Sequence, residues 1–232
     1  MTQHTGASYD GIAGKYAETV DVKPWNAFYE RPAVISLLPS LINAKALDAG
    51  CGSGWYAEQL LSRGATVTAF DLNSEFVTLT RSRAGARARV LQADLSRPLE
   101  FAGDGEFDLV LSALALHYLR DWRQTLCEFH RVLKPHGALV FSTHHPFMDW
   151  KLFNKEDYFS IELLEDDWKI GKVSFYRRPL TVISQDLDSA GFFIERLLEP
   201  QPTEDFRRVD PEGYERLTKN PWFLCVRARR KD

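Results

Sequence analysis

Cysteine is scarce in this chain: Cys51, Cys127 and Cys225 are odd in number and far apart among 232 residues. That spacing excludes a disulfide framework, offers no zinc site, and fits a reducing compartment. No apolar run approaches the ~20 residues that span a bilayer, so no membrane association is expected. The opening "MTQHTGASYDG" has neither a basic flank nor an apolar core, so it does not read as a secretory signal. A cytoplasmic protein is the simplest expectation. An excess of one charge is also missing: 29 Lys and Arg against 32 Asp and Glu leave a net charge of −3. No nucleic-acid partner is expected from that balance, and the terminal "RARRKD" is a short solvated tail. No histidine–carboxylate set has ligand spacing, so no metal is expected. The G-x-x-x-x-G-K-[ST] phosphate loop is absent as well.

What is present is ordinary globular material, 44% hydrophobic and 26% charged, with length enough for one large domain and its core. Short β-rich runs alternate with longer helical ones. "KALDA" (45–49), "TVTAFD" (66–71), "RARVLQAD" (87–94), "FDLVLS" (107–112) and "GALVFST" (137–143) read as strands. Between them, "GWYAEQLLSRG" reads as a helix, "SEFVTLTRSRA" as one capped by Ser74, and "DWRQTLCEFHRVLKP" as one capped by Asp121. Alternation at this spacing builds βαβ units around a parallel sheet. The unbroken apolar run in "DLVLS" suits a strand covered on both faces. An aromatic-rich segment, 146–178, interrupts the pattern. A helix closed by Gly191 and two more strands, "FFIERLLEP" and "PWFLCVRARR", follow it.

The stretch "LDAGCGSGW" leads a strand through Gly50, Gly52 and Gly54 into a helix. Missing side chains let a ligand approach the backbone, and a helix start offers unpaired N–H groups. Asp71 ends the second strand about 20 residues later, where a carboxylate suits a ribose diol. An adenosine-type cofactor is therefore expected. The loop departs from G-x-G-x-x-G, and Asp48 beside it would repel a diphosphate. A phosphate-free, positively charged ligand fits better.

At this point the chain resembles class I S-adenosylmethionine (SAM)-dependent methyltransferases, on "LDAGCGSGWYAEQL", Asp71, "LQADLSRPL", "FDLVLSALALHYL" and "VLKPHGALVFST" in order. It looks most like the small-molecule branch that includes ubiquinone and menaquinone biosynthesis methyltransferases. The resemblance implies a doubly wound, Rossmann-like α/β fold. Its seven-stranded, mostly parallel sheet would end in an antiparallel C-terminal hairpin, with helices before the sheet and an insertion after strand five. One domain spans 1–232: an N-terminal cap (1–43), a SAM-binding core (44–145), a substrate-cap insertion (146–178) and the end of the core (179–232). By position, Gly50, Gly52 and Gly54 line the methionine and ribose side of SAM. Asp48 orders the loop and sits near the aminoacyl end. Asp71 binds the ribose, Leu72 packs on adenine, Asp94 accepts from its amino group, and the Leu95 N–H reaches a ring nitrogen. Ser112 lies near the aminoacyl group through its backbone, and Tyr16 closes over the cofactor. Cys51 reads as a small residue at close backbone approach rather than a nucleophile.

Methyl transfer from a sulfonium is an in-line displacement, so holding the acceptor in place is the main task. A base helps only a protic acceptor, and His117 and His144 are the candidates. His145 should point away from His144 if the strand runs through both. His4, His130 and His136 are not expected to act. A small-molecule acceptor would sit among Trp25, Phe28 and Tyr29 on one side and Trp150, Tyr158, Trp168 and Tyr176 on the other. Arg31, Arg177 and Arg178 would receive an acidic one. The expected function is methyl transfer to an O, N or C atom, yielding S-adenosylhomocysteine, by a monomer or homodimer. The alternatives are a non-catalytic SAM-binding protein, a NAD-dependent enzyme, or a methyltransferase acting on nucleic acid or protein. Against the nucleic-acid reading, "SALA" stands where amino-methylating enzymes of that kind carry N/D-P-P-Y/F. Calorimetry separates the cofactors: SAM and S-adenosylhomocysteine are expected to bind and NAD is not, and the reverse pattern rejects the reading.

Overall fold

In a computed structural model, the described residues are 9, 11–168 and 171–232. His4 lies outside them. Two short helices precede the sheet, α1 (Ala13–Val20) and α2 (Arg31–Leu37), with one π-helical turn, Asn26–Glu30, leading directly into α2. The βα alternation then runs β1 (Lys45–Ala49), α3 (Trp55–Ser62), β2 (Thr66–Asp71), α4 (Ser74–Ala84) and β3 (Ala88–Gln92). It continues through β4 (Phe107–Ala113), α5 (Arg123–Val132) and β5 (Leu133–His144). Next come α6 (Pro146–Leu152), β6 (Glu162–Trp168) and β7 (Gly171–Arg177). The chain ends with α7 (Leu180–Ser189), β8 (Phe192–Leu198), α8 (Glu204–Val209), α9 (Pro211–Leu217) and β9 (Phe223–Arg230).

Seven strands form one sheet in the order β3-β2-β1-β4-β5-β9-β8, while β6 and β7 make a separate hairpin. The first five are parallel, and β9 enters antiparallel to both β5 and β8. This is the expected architecture. Chain order reverses between β1 and β4, which opens a crevice beyond their carboxyl ends. Alternate residues of each central strand feed two separate cores. Val110, Leu139 and Phe141 face α5 and α7 with Trp122 and Phe129, while Leu109, Leu111 and Val140 face α2 and α3 with Leu60 and Val34. All of these are almost wholly buried, and each side chain of that size contributes about 1.5–3 kcal/mol. A continuous apolar run is what such two-sided burial demands.

Three local expectations shift. The cap of α4 is Asn73, not Ser74: its side chain accepts from the Glu75 and Phe76 N–H groups at 2.9 and 3.1 Å. Helix α5 starts at Arg123, and Asp121 accepts the first helical N–H at 2.9 Å from two residues upstream. Strand β5 begins at Leu133 rather than 137, because a register shift after Phe107 lets it pair with β4 earlier. Within the aromatic-rich segment, β7 alternates properly, with Val173, Phe175 and Arg177 buried. Its partner β6 is acidic and buries only Leu164. Among the described residues, no helix is long and apolar enough to cross a membrane.

The turn from β1 to α3 ends at Gly54, whose φ is +84°. A Cβ there would stand 2.9 Å from the Thr80 Cα on α4. Gly54→Ala therefore meets backbone that cannot yield, in addition to left-handed strain of about 1–2 kcal/mol. Chemical denaturation is expected to show a loss of at least about 2 kcal/mol.

Candidate functional site

The crevice at the switch point holds a cleft of about 480 Å³. Its floor is Gly50-Cys51-Gly52-Ser53. Gly50 and Cys51 both donate to the Phe70 carbonyl at 2.9 Å, and Gly52 donates to Asp71 Oδ2 at 2.9 Å. The glycine turn is thus tied to the end of β2. Gly52 has a φ of +52° and no atom within 4 Å of where its Cβ would be, so a side chain would enter open space. Asp71 also accepts from the Asn73 N–H at 3.0 Å, which orients the carboxylate on the cleft wall.

The cleft brings together Tyr16, Gly50, Cys51, Gly52, Asp71, Leu72 and Leu95 from the expected set. Others stand behind its wall. Gly54 is taken up by packing on Thr80. Ser112 is fully buried, and its Oγ donates to the Ala49 carbonyl at 3.0 Å; the residues after it, Ala113, Leu114 and Ala115, line the cleft instead. Asp94 turns one oxygen back onto the Ser96 N–H and hydroxyl, at 2.8 and 2.7 Å, while its neighbours Ala93 and Leu95 form the wall. Asp48 is buried beneath the loop. It accepts from the Ala57 N–H, and its Oδ2 has no hydrogen-bond partner. Burial first, and then the charge of Asp71, pushes its carboxyl up to about 7. Cys51 has its Sγ 3.5 Å from the Thr80 hydroxyl, and burial raises its thiol so that it stays protonated.

The histidines do not line the cleft. His117 and His144 stack on each other with ring centroids 4.3 Å apart, and His144 also meets the Phe175 ring edge at 4.3 Å. They lie behind Tyr118, which faces the cleft. Burial, then His144 and Arg178, lowers His117 well below the usual imidazole range. That makes it neutral and a weak proton acceptor at neutral pH. His145 leaves the strand, begins α6, and pairs through Nε2 with Glu199 at 2.8 Å.

The aromatics named from sequence are mostly packing residues. Trp25 and Tyr29 join Phe206, Trp222 and Phe223 in a separate cluster. Trp150 packs with Phe147 and Tyr158, and Arg177 holds the loop carbonyls of Asp157, Tyr158 and Ser160. Arg178 lies over Trp122 and donates to the Leu119 carbonyl. Trp168 alone of that group reaches toward the site, stacking on Tyr16 at 6.5 Å. The cleft's own aromatics are Tyr9, Tyr16, Trp55, Tyr56, Phe70, Phe76 and Tyr118. Tyr9 and Tyr118 share a hydrogen bond of 2.8 Å between hydroxyls. Sequence reasoning also missed Glu30, a carboxyl only 1% exposed that nonetheless lines the cleft. Its one signal was a charge inside the apolar run "NAFYERPAVISLL".

Fold and cleft together define an α/β enzyme of the doubly wound class that takes an adenosine-bearing cofactor. A family model described as "Methyltransferase domain" matches residues 47–141. The Bacillus subtilis protein named methyltransferase YqeM is 30% identical over 231 residues, 95% of this chain and 88% of that one. A Salmonella typhimurium malonyl-[acyl-carrier protein] O-methyltransferase is 33% identical over 142 residues, 61% of this chain but only 53% of its own length. Among solved structures, an S-adenosylmethionine-dependent methyltransferase from Mesorhizobium loti is 28% identical, with a TM-score of 0.76 over 91% of this chain and all of that one. The chain belongs to the SAM-dependent methyltransferases, and SAM is its cofactor.

Asp48 gives a pH signature. Its carboxyl is raised on folding, so between about pH 4 and the folded value near 7 the native state binds more protons than the unfolded one. Stability attributable to this group is full at low pH and falls as pH rises through that window. Asp48→Asn keeps the acceptor for Ala57 and removes the titration. Thermal melts of the cofactor-free protein at pH 5 and pH 8 are expected to show the variant gaining on wild type at the higher pH.

Proposed function

We propose that the protein moves the methyl group of SAM to an O, N or C atom of a small-molecule acceptor, acting in the cytoplasm as a monomer or homodimer. The observation that carries this reading is the single cleft that joins Asp71 and the glycine floor to an aromatic-walled opening at Leu114 and Tyr118. A volume of about 480 Å³ suits a small ligand set and not a macromolecular groove. In this reading Asp71 holds the ribose diol. Leu72 and Leu95 enclose adenine, and Gly50 and Gly52 let the sulfonium approach the backbone. Tyr16, stacked on Trp168, closes the roof and links the N-terminal cap to the insertion that shields the acceptor.

The reaction breaks the sulfonium carbon–sulfur bond as the acceptor lone pair forms the new bond to carbon. The pair released to sulfur leaves S-adenosylhomocysteine. Because SAM carries the leaving group, the protein's work is alignment and exclusion of water. Relatives named malonyl-[acyl-carrier protein] O-methyltransferases support oxygen as the atom methylated and put carboxylates first among acceptors to try. A carboxylate needs no base, which agrees with His117 and His144 sitting behind Tyr118. Their role in this reading is to hold that wall.

A methyl-transfer screen over carboxylates, phenols and amines, read as S-adenosylhomocysteine released, is expected to find one productive class. Cofactor binding with no transfer to any acceptor would favour a non-catalytic SAM-binding protein. With the acceptor in hand, His117→Ala and His144→Ala are expected to lower the single-turnover rate less than about tenfold, with an unchanged pH profile. A loss of ~10²–10⁴ would make one of them the base.

A further inference from the structure

A second cavity, of about 470 Å³, lies outside the cleft and shares none of its residues. Arg120, Asp121 and Arg123 line it from the segment between β4 and α5, and Arg178, Val182 and Asp186 from the end of β7 and from α7. Ile161, just before β6, completes the lining. Tyr118 faces the cleft and Arg120 faces this cavity, with buried Leu119 between them. One stretch of chain therefore walls both spaces.

Arg178 is the group that the fold leaves unfinished. Its side chain is 3% exposed, and its guanidinium lies over the Trp122 ring at 4.1 Å. Nη2 donates to the Leu119 carbonyl, which holds the shared wall. Nε and Nη1 are buried and have no hydrogen-bond partner among the described residues. Nη1 stands 3.8 Å from Asp186 Oδ2, an ion pair too long for a hydrogen bond. Burial lowers the guanidinium to about 10, with Asp186 and Asp121 opposing the shift, so it is still charged at neutral pH. A buried cation short of acceptors carries a desolvation cost that a bound anion would relieve.

The rest of the lining narrows the ligand. Arg123 is already committed, its Nε and Nη2 donating to Asp121 at 3.1 and 2.7 Å. Arg120 is exposed at the rim and forms no ion pair among the described residues. Three arginines against two carboxylates leave one positive charge over, which a monoanion balances. A phosphate dianion would face Asp121 and Asp186 with too little positive charge to offset them. Ile161 and Val182 set apolar surface beside the arginines, which suits an aliphatic or aromatic body. The volume is that of a small-molecule site.

We propose that this cavity binds a small monocarboxylate with an apolar body, its carboxylate received by Arg178 and Arg120. The site is separate from the methyl-transfer cleft and does not depend on the cofactor reading. Its occupant packs against the segment that carries Tyr118, where it is placed to steady the acceptor wall.

Hexanoate is the probe, with hexylamine keeping the body and reversing the charge, and inorganic phosphate keeping an anion without the body. Binding is followed by NMR at the Trp122 indole N–H, directly beneath the Arg178 guanidinium. Hexanoate is expected to shift that signal saturably, with half-saturation at about millimolar concentration, and neither control should match it. Because Arg178 also holds the chain, the site is tested from its exposed rim with Arg120→Gln and Ile161→Glu. Each is expected to raise the half-saturation concentration about fivefold or more, while thermal melts report a folded protein. No saturable shift, an equal response to hexylamine or phosphate, or hexanoate binding unchanged in both variants overturns the proposal.

Discussion

The hydrogen bond from the Gly52 N–H to the Asp71 carboxylate is the constraint on which the site depends. It joins the turn after β1 to the end of β2, and the two N–H groups donated to the Phe70 carbonyl reinforce it. Once the turn is held there, α3 must start at Gly54 and pack onto α4 at Thr80. The hydroxyl of Thr80 in turn donates to the Gly52 carbonyl at 2.8 Å. Floor and wall of the cleft are therefore one hydrogen-bonded unit. Its rigidity is what allows a cofactor to be held at attack distance without further machinery.

Carboxyl groups surround this unit with unequal solvation. Asp71 is oriented by backbone N–H groups at the surface of the cleft, Asp48 is buried beneath it with one oxygen unpaired, and Glu30 is buried at its far end between two hydroxyls. A buried acid without a full complement of donors takes up a proton unless a cation arrives. Such a cleft favours a ligand that brings positive charge, as a sulfonium with an ammonium does, over one that brings phosphate. The donor's chemistry is thus written into the electrostatics as well as into the glycine spacing.

Much of the cleft is enclosed from outside the central sheet. Tyr9 and Tyr16 precede it, Tyr118 follows β4, and Trp168 arrives from the β6–β7 hairpin to stack on Tyr16. Closure therefore joins segments more than 150 positions apart in a chain of 232 residues. The paired histidines belong to this enclosure: their stack, braced by Phe175 of the hairpin, backs the Tyr118 wall.

The five parallel strands, the glycine turn, Asp71 and the antiparallel close of the sheet were legible in the sequence, because each rests on local chemistry. Apolar runs, left-handed glycines and strand-end carboxylates act over a few residues, and their order along the chain determines the doubly wound sheet. Which side chains face the cleft was a different matter. The Ser112 hydroxyl turns to the Ala49 carbonyl and Gly54 packs on Thr80, so neither is among the residues that line the cleft. His117 and His144 are adjacent only because β4 and β5 pair, and Phe175 of the hairpin packs on both. Glu30 carries no motif in the sequence; a π-helical turn and two hydroxyls from distant elements direct it inward. Local patterning determined the frame and named the donor. Tertiary packing alone decided which polar groups face the ligand, since that depends on which distant side chains meet and exclude water.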